Sequence, residues 1–430
     1  MASDPGLLEA PRDTTLRRGL LAVAALAALG LALRIWFLLD VTGDSSLVGD
    51  GLEYLGLADG IADGRGYVSP FTQPGAEAVP SAHKPPLYPL LLAIVSALGG
   101  SGHVPFQVAS ALVGTATVVV CAVLAGRVAG PRAAILAAAL GAAYPVFLVA
   151  DASLRAESLY GLCIALALLA AYRAWESPTA WRLVALGVIV GLATLARSEG
   201  LALLVLVAMP IVWIRGRPGR GWRLAVVTAA CVLTLAPWLI RCWIAFDEPV
   251  FISTNSGDLI AGANCADVYS GTHMGSWSFA CATGATGANE AEVAAKLRER
   301  GLDYARDHAG RLPVVMAARA LRPWGFYDPD GEVSGKTLGE GRSKTANWAG
   351  LVACWALLAL AVLGFVALRR RGQPLFILAA PFVAVVLVSV TSYGILRFRA
   401  PADVALVVLG AVGIDALLRG RAARTAATRS

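Results

Sequence analysis

The sequence predicts an all-α polytopic membrane protein with about ten transmembrane helices, and three observations carry that expectation. Mean hydropathy is +0.67 and only 15% of the 430 residues are charged, where a soluble domain carries about 25%. The apolar residues form long unbroken runs, unlike the alternating segments of about ten residues that mark a membrane barrel. Arginines gather in short loops between those runs, as in "RGRPGRGWR" at 215–223 and "RRR" at 369–371. The net charge of +7 therefore reports membrane topology and not a nucleic-acid partner.

The first run, "LRRGLLAVAALAALGLALRIWFLLD", is too long for a signal-peptide core and lacks a small-x-small cleavage site, so it reads as an anchored span. Apolar segments follow the same logic near 20–39, 105–126, 132–150, 158–172, 183–196, 200–214, 224–243, 350–368, 374–391 and 402–418. An eleventh, "PLYPLLLAIVSALGG" at 86–100, is too short to cross and is expected at the interface or as a re-entrant piece. Loop charge supports that choice. With 86–100 excluded and Arg12, Arg17 and Arg18 inside, Arg127, Arg132, Arg173, Arg182, the two arginine-rich loops and the tail Arg419, Arg421, Arg424 and Arg429 all fall inside. Counting 86–100 as a span would flip nearly all of them outside. "ARSEG" splits 183–214 into two short crossings, with Arg197 and Glu199 at the outer turn.

Ten spans with both termini cytoplasmic leave two large outer loops, 41–104 and 244–349, and three small outer turns at 151–157, 196–200 and 391–400. The chain divides into a membrane module (1–243), an outer cap (244–349) and three C-terminal spans with a basic tail (350–430). Cys121, Cys163, Cys231 and Cys354 lie inside apolar runs as small buried hydrophobes. Cys242 ends a span, and Cys265 and Cys281 share the second outer loop, where sequence leaves open whether they pair.

The acids are concentrated outside. In "GDGLEYLGLADGIADG", Leu52, Leu55, Ala58 and Ile61 recur every three residues while Asp50, Glu53 and Asp59 lie off that stripe. This predicts a short amphipathic helix along the membrane surface. Asp50 and Glu53, one turn apart, suit a general base, a cation site or plain helix capping. Asp44 and Asp63 flank them. In "SAHKPPLYPLLLA", Pro85 and Pro86 force an extended entry and fix His83 and Lys84 at the interface. That lysine suits a lipid phosphate and that histidine a metal or a second phosphate contact, against a simple snorkelling pair. "ADASLRAESLYGL" brings Asp151, Arg155 and Glu157 to the outer edge, joined there by Arg197, Arg241, Arg397 and Arg399. Ionisable groups at that depth face a cavity, because lipid burial costs several kcal/mol. In 251–277, Thr254, Asn255, Asn264 and Trp277 offer sugar-binding surfaces or a structural lid, and 289–311 has the spacing of a capping amphipathic helix.

Together "GDGLEYLGLADGIADGRGYV", "HKPPLYPLLLA", "LRAESLY", "GLATLARSEGL" and "PWLIR", with an echo in "YGILRFRAP", resemble the GT-C membrane glycosyltransferases. Within them the bacterial relatives of the protein O-mannosyltransferases and the lipid A aminoarabinose transferase look nearest. The resemblance implies a GT-C-like fold with interfacial helices in the first outer loop and a polyprenyl-phosphate-linked sugar donor. It implies Asp50 as catalytic base, Glu157 as a second acid, and Lys84 at the lipid phosphate. Glu53, Arg155, Arg197, Arg397 and Asn255 complete the expected substrate-binding set. His83 stands where the aminoarabinose transferases carry a metal-binding glutamate, so a divalent metal ion is a candidate cofactor and His83 its candidate ligand. The implied reaction is inverting sugar transfer to a glycan, protein or lipid acceptor at the outer face, in cell-envelope assembly. A transporter or flippase, or a non-catalytic binding subunit for polyprenyl-linked sugars, is the competing class. A transporter calls for mid-span charges and paired broken helices, and the acids here lie instead at the outer edge.

Overall fold

The computed structural model describes residues 10–42, 49–72, 77–340 and 343–427. Asp44 lies outside them. The described chain is helical throughout, and its only extended pairing is an isolated bridge between Val68 and Pro80. In order the helices are α1 (Ala10–Trp36), α2 (Asp50–Ala62), α3 (Leu87–Ala97), α4 (Val104–Ala129), α5 (Pro131–Ala143), α6 (Pro145–Ala152), α7 (Glu157–Glu176) and α8 (Ala180–Ala196). There follow α9 (Met209–Arg215), α10 (Arg220–Phe246), α11 (Ser256–Ala263), α12 (Glu290–Asp307), α13 (Leu312–Leu321), α14 (Pro329–Glu340), α15 (Lys344–Arg370), α16 (Leu375–Thr391) and α17 (Ala400–Ala427).

Seven helical stretches are long and apolar enough to cross a bilayer, and the pair α5–α6, bent by 51°, makes an eighth. The bend follows from Pro145, which lacks an N–H and pushes Tyr144 out of helical geometry (φ −70°, ψ 113°). The other two expected spans are α8 and α16, each of 17 residues. At 1.5 Å per residue they reach about 25 Å, short of a hydrocarbon core of about 30 Å. The expected ten crossings thus resolve into eight of full length and two short apolar helices. The 86–100 segment is α3, of 11 residues, too short to span.

The interior is built around α7 and α17, whose apolar windows are 72% and 78% buried, against 22% for the α1 stretch. Small residues let backbones meet directly. A Cβ on Gly364 of α15 would stand 2.2 Å from the Leu409 carbonyl oxygen of α17, and one on Gly413 would stand 2.3 Å from that of Leu360. In lipid, where apolar burial gives little drive, such close contact is what holds helices together. The periphery stays apolar: Leu233, Ile240 and Ile244 of α10 are exposed, as suits a lipid-facing surface.

Between α1 and α4 the first loop folds as α2 and α3, packed edge to face through Tyr54 and Tyr88 (centroids 5.0 Å apart). Tyr88 also hydrogen-bonds Ser110 of α4 at 2.8 Å. The helix predicted from the acid-rich stretch forms, but turned from the expected stripe. It buries Gly51, Glu53, Tyr54, Leu57, Ala58 and Gly60, while Leu52 is 49% exposed. Glu53 goes inside because it finds cationic partners there, which a purely apolar count does not register.

The second loop, between α10 and α15, carries α11 to α14. The expected capping helix is α12, opened by Asn289, whose side chain accepts the Glu292 N–H at 3.0 Å. Two buried arginines staple this loop to itself. Arg322 pairs with Glu332 at 2.6 Å and donates to the carbonyls of Met274 and Thr272, while Arg319 donates to the Ala263 carbonyl and Asn264. Cys265 and Cys281 are disulfide-bonded across 16 positions. Closing a loop of that size is worth about 3 kcal/mol in the chain-entropy account. Cys265→Ser is therefore expected to speed limited proteolysis between 266 and 281 while leaving helical circular dichroism unchanged.

Candidate active site

Five stretches distant in sequence converge on a chamber of about 690 Å³: the first loop, the turns after α6 and α8, the second loop, and the end of α16 with the turn after it. Gly49, with φ +61°, takes a left-handed conformation that favours glycine and delivers Asp50 as the first residue of α2. His83 and Lys84 lie in a bend before Pro85, where an extended entry was expected, and Pro86 with φ −81° and ψ −19° already has helical geometry ahead of α3. Leu154 also has a positive φ, +47°, and is fully buried beside Tyr54, Tyr88, Leu92 and Phe106. For a branched side chain this is strained backbone, sustained by its packing, and it turns Arg155 into the chamber wall.

Asp50 is clamped between two cations. Lys84 Nζ lies 2.9 Å from Oδ1 and Arg397 Nη1 2.5 Å from Oδ2. Lys84 also reaches Glu53 Oε2 at 3.2 Å. Glu53 Oε1 meets His83 Nδ1 at 2.5 Å, and His83 Nε2 meets Asp258 Oδ2 at 2.8 Å. Burial pushes the Asp50 pKa up, but Lys84, Arg397 and Arg155 outweigh it and hold the carboxyl well below its usual value. Burial likewise opposes Glu53, and His83 and Lys84 prevail to lower it. For Lys84, burial lowers the pKa and the two carboxylates raise it further, so the ammonium stays charged.

Asp50, Glu53, His83, Lys84, Arg155, Arg197, Arg397 and Asn255 all line the chamber, with Tyr54, Glu199, Asp258, Trp277 and Tyr393. Glu157, expected as a second catalytic acid, is not among the lining residues. It opens α7, pairs with Arg197 at 2.9 Å and approaches Arg397 Nε at 3.8 Å, and it borders two small cavities of about 60 and 30 Å³ behind the wall. Arg197 also binds Glu199 at 2.5 Å.

Other expected residues go elsewhere. Asp151 pairs with buried Arg34 at 2.7 Å, and Arg399 with Asp403 at 3.3 Å. Arg241 donates to the carbonyls of Ser81 and Tyr67, bracing the first loop. Asp59 accepts from Ser96, and Asp63 pairs with Arg65 at the surface. Thr254 binds Glu290, and Asn264 serves Tyr269 and Arg319. Sequence reading missed Asp258, Glu199 as a lining residue and Tyr393. Tyr393 lies inside the "YGILRFRAP" echo and Asp258 just after Asn255, so nearness to named residues was the signal available.

The donor set does not fit a metal at His83. Both ring nitrogens face carboxylates on opposite sides, and those hydrogen bonds outweigh burial to raise its pKa to about 9. Among the described residues no cluster of His, Cys, Asp and Glu whose ligand atoms lie close enough together to share an ion includes His83. Cys265, Asp267 and Cys281 lie within reach of one another, but both sulfurs are consumed by the disulfide, which removes the thiolates zinc would take.

The bundle of membrane helices carries α2 and α3 folded between its first two spans, with a chamber of paired carboxylates and cations beside them. Residues 83–241 match the family model described as dolichyl-phosphate-mannose-protein mannosyltransferase, a stretch that takes in His83, Lys84, Arg155, Glu157 and Arg197. Two solved structures from Archaeoglobus fulgidus are similar over nearly the whole chain. One is the archaeal oligosaccharyltransferase AglB in complex with an inhibitory peptide and a dolichol-phosphate, at 16% identity and TM-score 0.51, covering 95% of this chain and 52% of that one. The other is an oligosaccharyltransferase complex with Zn and sulfate, at 18% and 0.54, covering 94% and 50%. ArnT from Cupriavidus metallidurans bound to undecaprenyl phosphate matches at 17% and 0.44, covering 91% and 77%. No curated protein matches the chain in sequence. The chain spans about half the length of the two oligosaccharyltransferase structures.

Proposed function

We propose that this protein is a polyprenyl-phosphate-sugar-dependent glycosyltransferase of the cell membrane, working at the outer face with both termini cytoplasmic. The observation that carries the reading is Asp50 held between Lys84 and Arg397 on the wall of a chamber of about 690 Å³. The family model over 83–241, and a similar fold that holds a dolichol-phosphate in AglB, support the donor class.

In this reading the donor phosphate takes Lys84, Arg397 and the nearby Arg155, which neutralise charge as the bond from the anomeric carbon to the phosphate oxygen breaks. Asp50 accepts the proton of an acceptor hydroxyl as its oxygen attacks the opposite face of that carbon, so configuration inverts. Glu157 holds Arg197 and Arg397 in place from behind the wall. The acceptor is a glycan, protein or lipid hydroxyl of the cell envelope. Purified protein incubated with radiolabelled polyprenyl-phosphate mannose, arabinose and glucose, with and without chelator, tests this. Transfer of one label, unaffected by chelator, is the expected result. Lipid scrambling between leaflets with no label consumed would replace the reading with transport.

A further inference from the structure

We propose that His83 is a positioning residue, whose imidazole ties Glu53 of α2 to Asp258 of α11 and so fixes where the second loop stands over the chamber. Three separate stretches of chain meet in this clasp. Nδ1 lies 2.5 Å from Glu53 and Nε2 2.8 Å from Asp258, so both nitrogens must donate to serve two carboxylates, which only the imidazolium does. Charged groups facing the ring are Glu53 and, beyond Lys84, Asp50 from the α2 side, Lys84 from its own stretch of chain, and Asp258 from α11.

Asp258 is used twice. Its side chain takes His83, and its carbonyl accepts the Trp277 indole N–H at 3.0 Å. The indole occupies space that Gly262 leaves open, since a Cβ there would come within 2.2 Å of Nε1. It stands 6.3 Å from the Tyr393 ring. Asp258 is thereby joined to Trp277, the aromatic side of the chamber, which stands next to Tyr393. Two further ties already join the loops, Glu290 accepting the Ala82 N–H at 2.9 Å and Ala82 accepting the Thr254 N–H at 2.9 Å. The clasp thus adds orientation to an attachment made elsewhere, and its loss leaves the fold intact. None of this depends on sugar transfer.

Hydrogen–deuterium exchange on the full chain in detergent, with no donor present, tests the clasp. His83→Gln and Asp258→Asn are each expected to speed exchange in 256–263 and 277–282 by about tenfold, as for loss of one charge-assisted hydrogen bond, with α12 unchanged. The double variant should exchange no faster than either single one, and Asp258→Glu should restore most of the protection. Because His83 is raised to about 9, protection is complete below the ordinary imidazole value of about 6.5. It is lost as pH rises through about 9, after correction for intrinsic exchange, and this step is absent in His83→Gln. Unchanged exchange in both single variants, additive effects in the double variant, or a pH step that survives in His83→Gln would overturn the proposal. Should His83→Gln fail to fold, Asp258→Asn, at a side chain 29% exposed, carries the same measurement.

Discussion

Asp50→Asn is expected to lower turnover by about 10²–10⁴-fold, the usual worth of a positioned general base, while expression and fold are preserved. The amide matches the carboxylate in shape and still offers an oxygen to one of Lys84 and Arg397, but it cannot take a proton. Since the exchange removes the anion those cations serve, polyprenyl-phosphate binding should hold or tighten as catalysis disappears. Initial rates of label transfer and equilibrium binding, measured on one preparation, separate the two. Normal turnover in the variant would remove Asp50 from the chemistry. A pH dependence accompanies this. Because Asp50 is held well below the usual carboxylate value, the charge of the free protein persists as pH falls through about 4. The acid limb of kcat/KM for the donor, which reports the unliganded protein, should therefore lie lower than for an ordinary aspartate.

Lys84→Met is the second large effect. The lysine side chain is 7% exposed and stands between Asp50 and Glu53. Its removal leaves one carboxylate to Arg397 and the other to His83, without the cation they share. Losing one partner of a buried pair typically costs about 3–5 kcal/mol, so unfolding in detergent should shift to markedly lower temperature, and polyprenyl-phosphate binding should be lost. Adding Glu53→Gln relieves the unpaired charge and should recover part of the stability but none of the binding. Recovery of both would make Lys84 a structural counter-ion with no hold on phosphate.

What sequence revealed depended on how local each feature is. The acid-rich helix, the interfacial α3 and the Asn289-capped α12 are written in runs of neighbouring residues, and each forms. Asp50, Glu53, His83 and Lys84 come from two short stretches that helix geometry and a proline pair bring to one place, and they share one chamber with Arg155, Arg197, Arg397 and Asn255. Asp258 was illegible because its role exists only once α11 is folded back over the first loop. The buried face of α2 was misread because Glu53 goes inside by virtue of partners thirty residues away. Arg319 and Arg322 look like ordinary basic residues of a solvated helix until the carbonyls they bind are in place. The span count differed because α8 and α16 are apolar yet short, a matter of where helices end and not of what they contain.

Two permanent cations beside Asp50 have a consequence for timing. A carboxylate so held has little appetite for protons and is a weak base. In the proposed reaction an arriving phosphate competes for the same ammonium and guanidinium, loosens their grip and returns proton affinity to the acid beside it. The substrate would thus arm the group that acts on its partner, and the protein would idle safely without one.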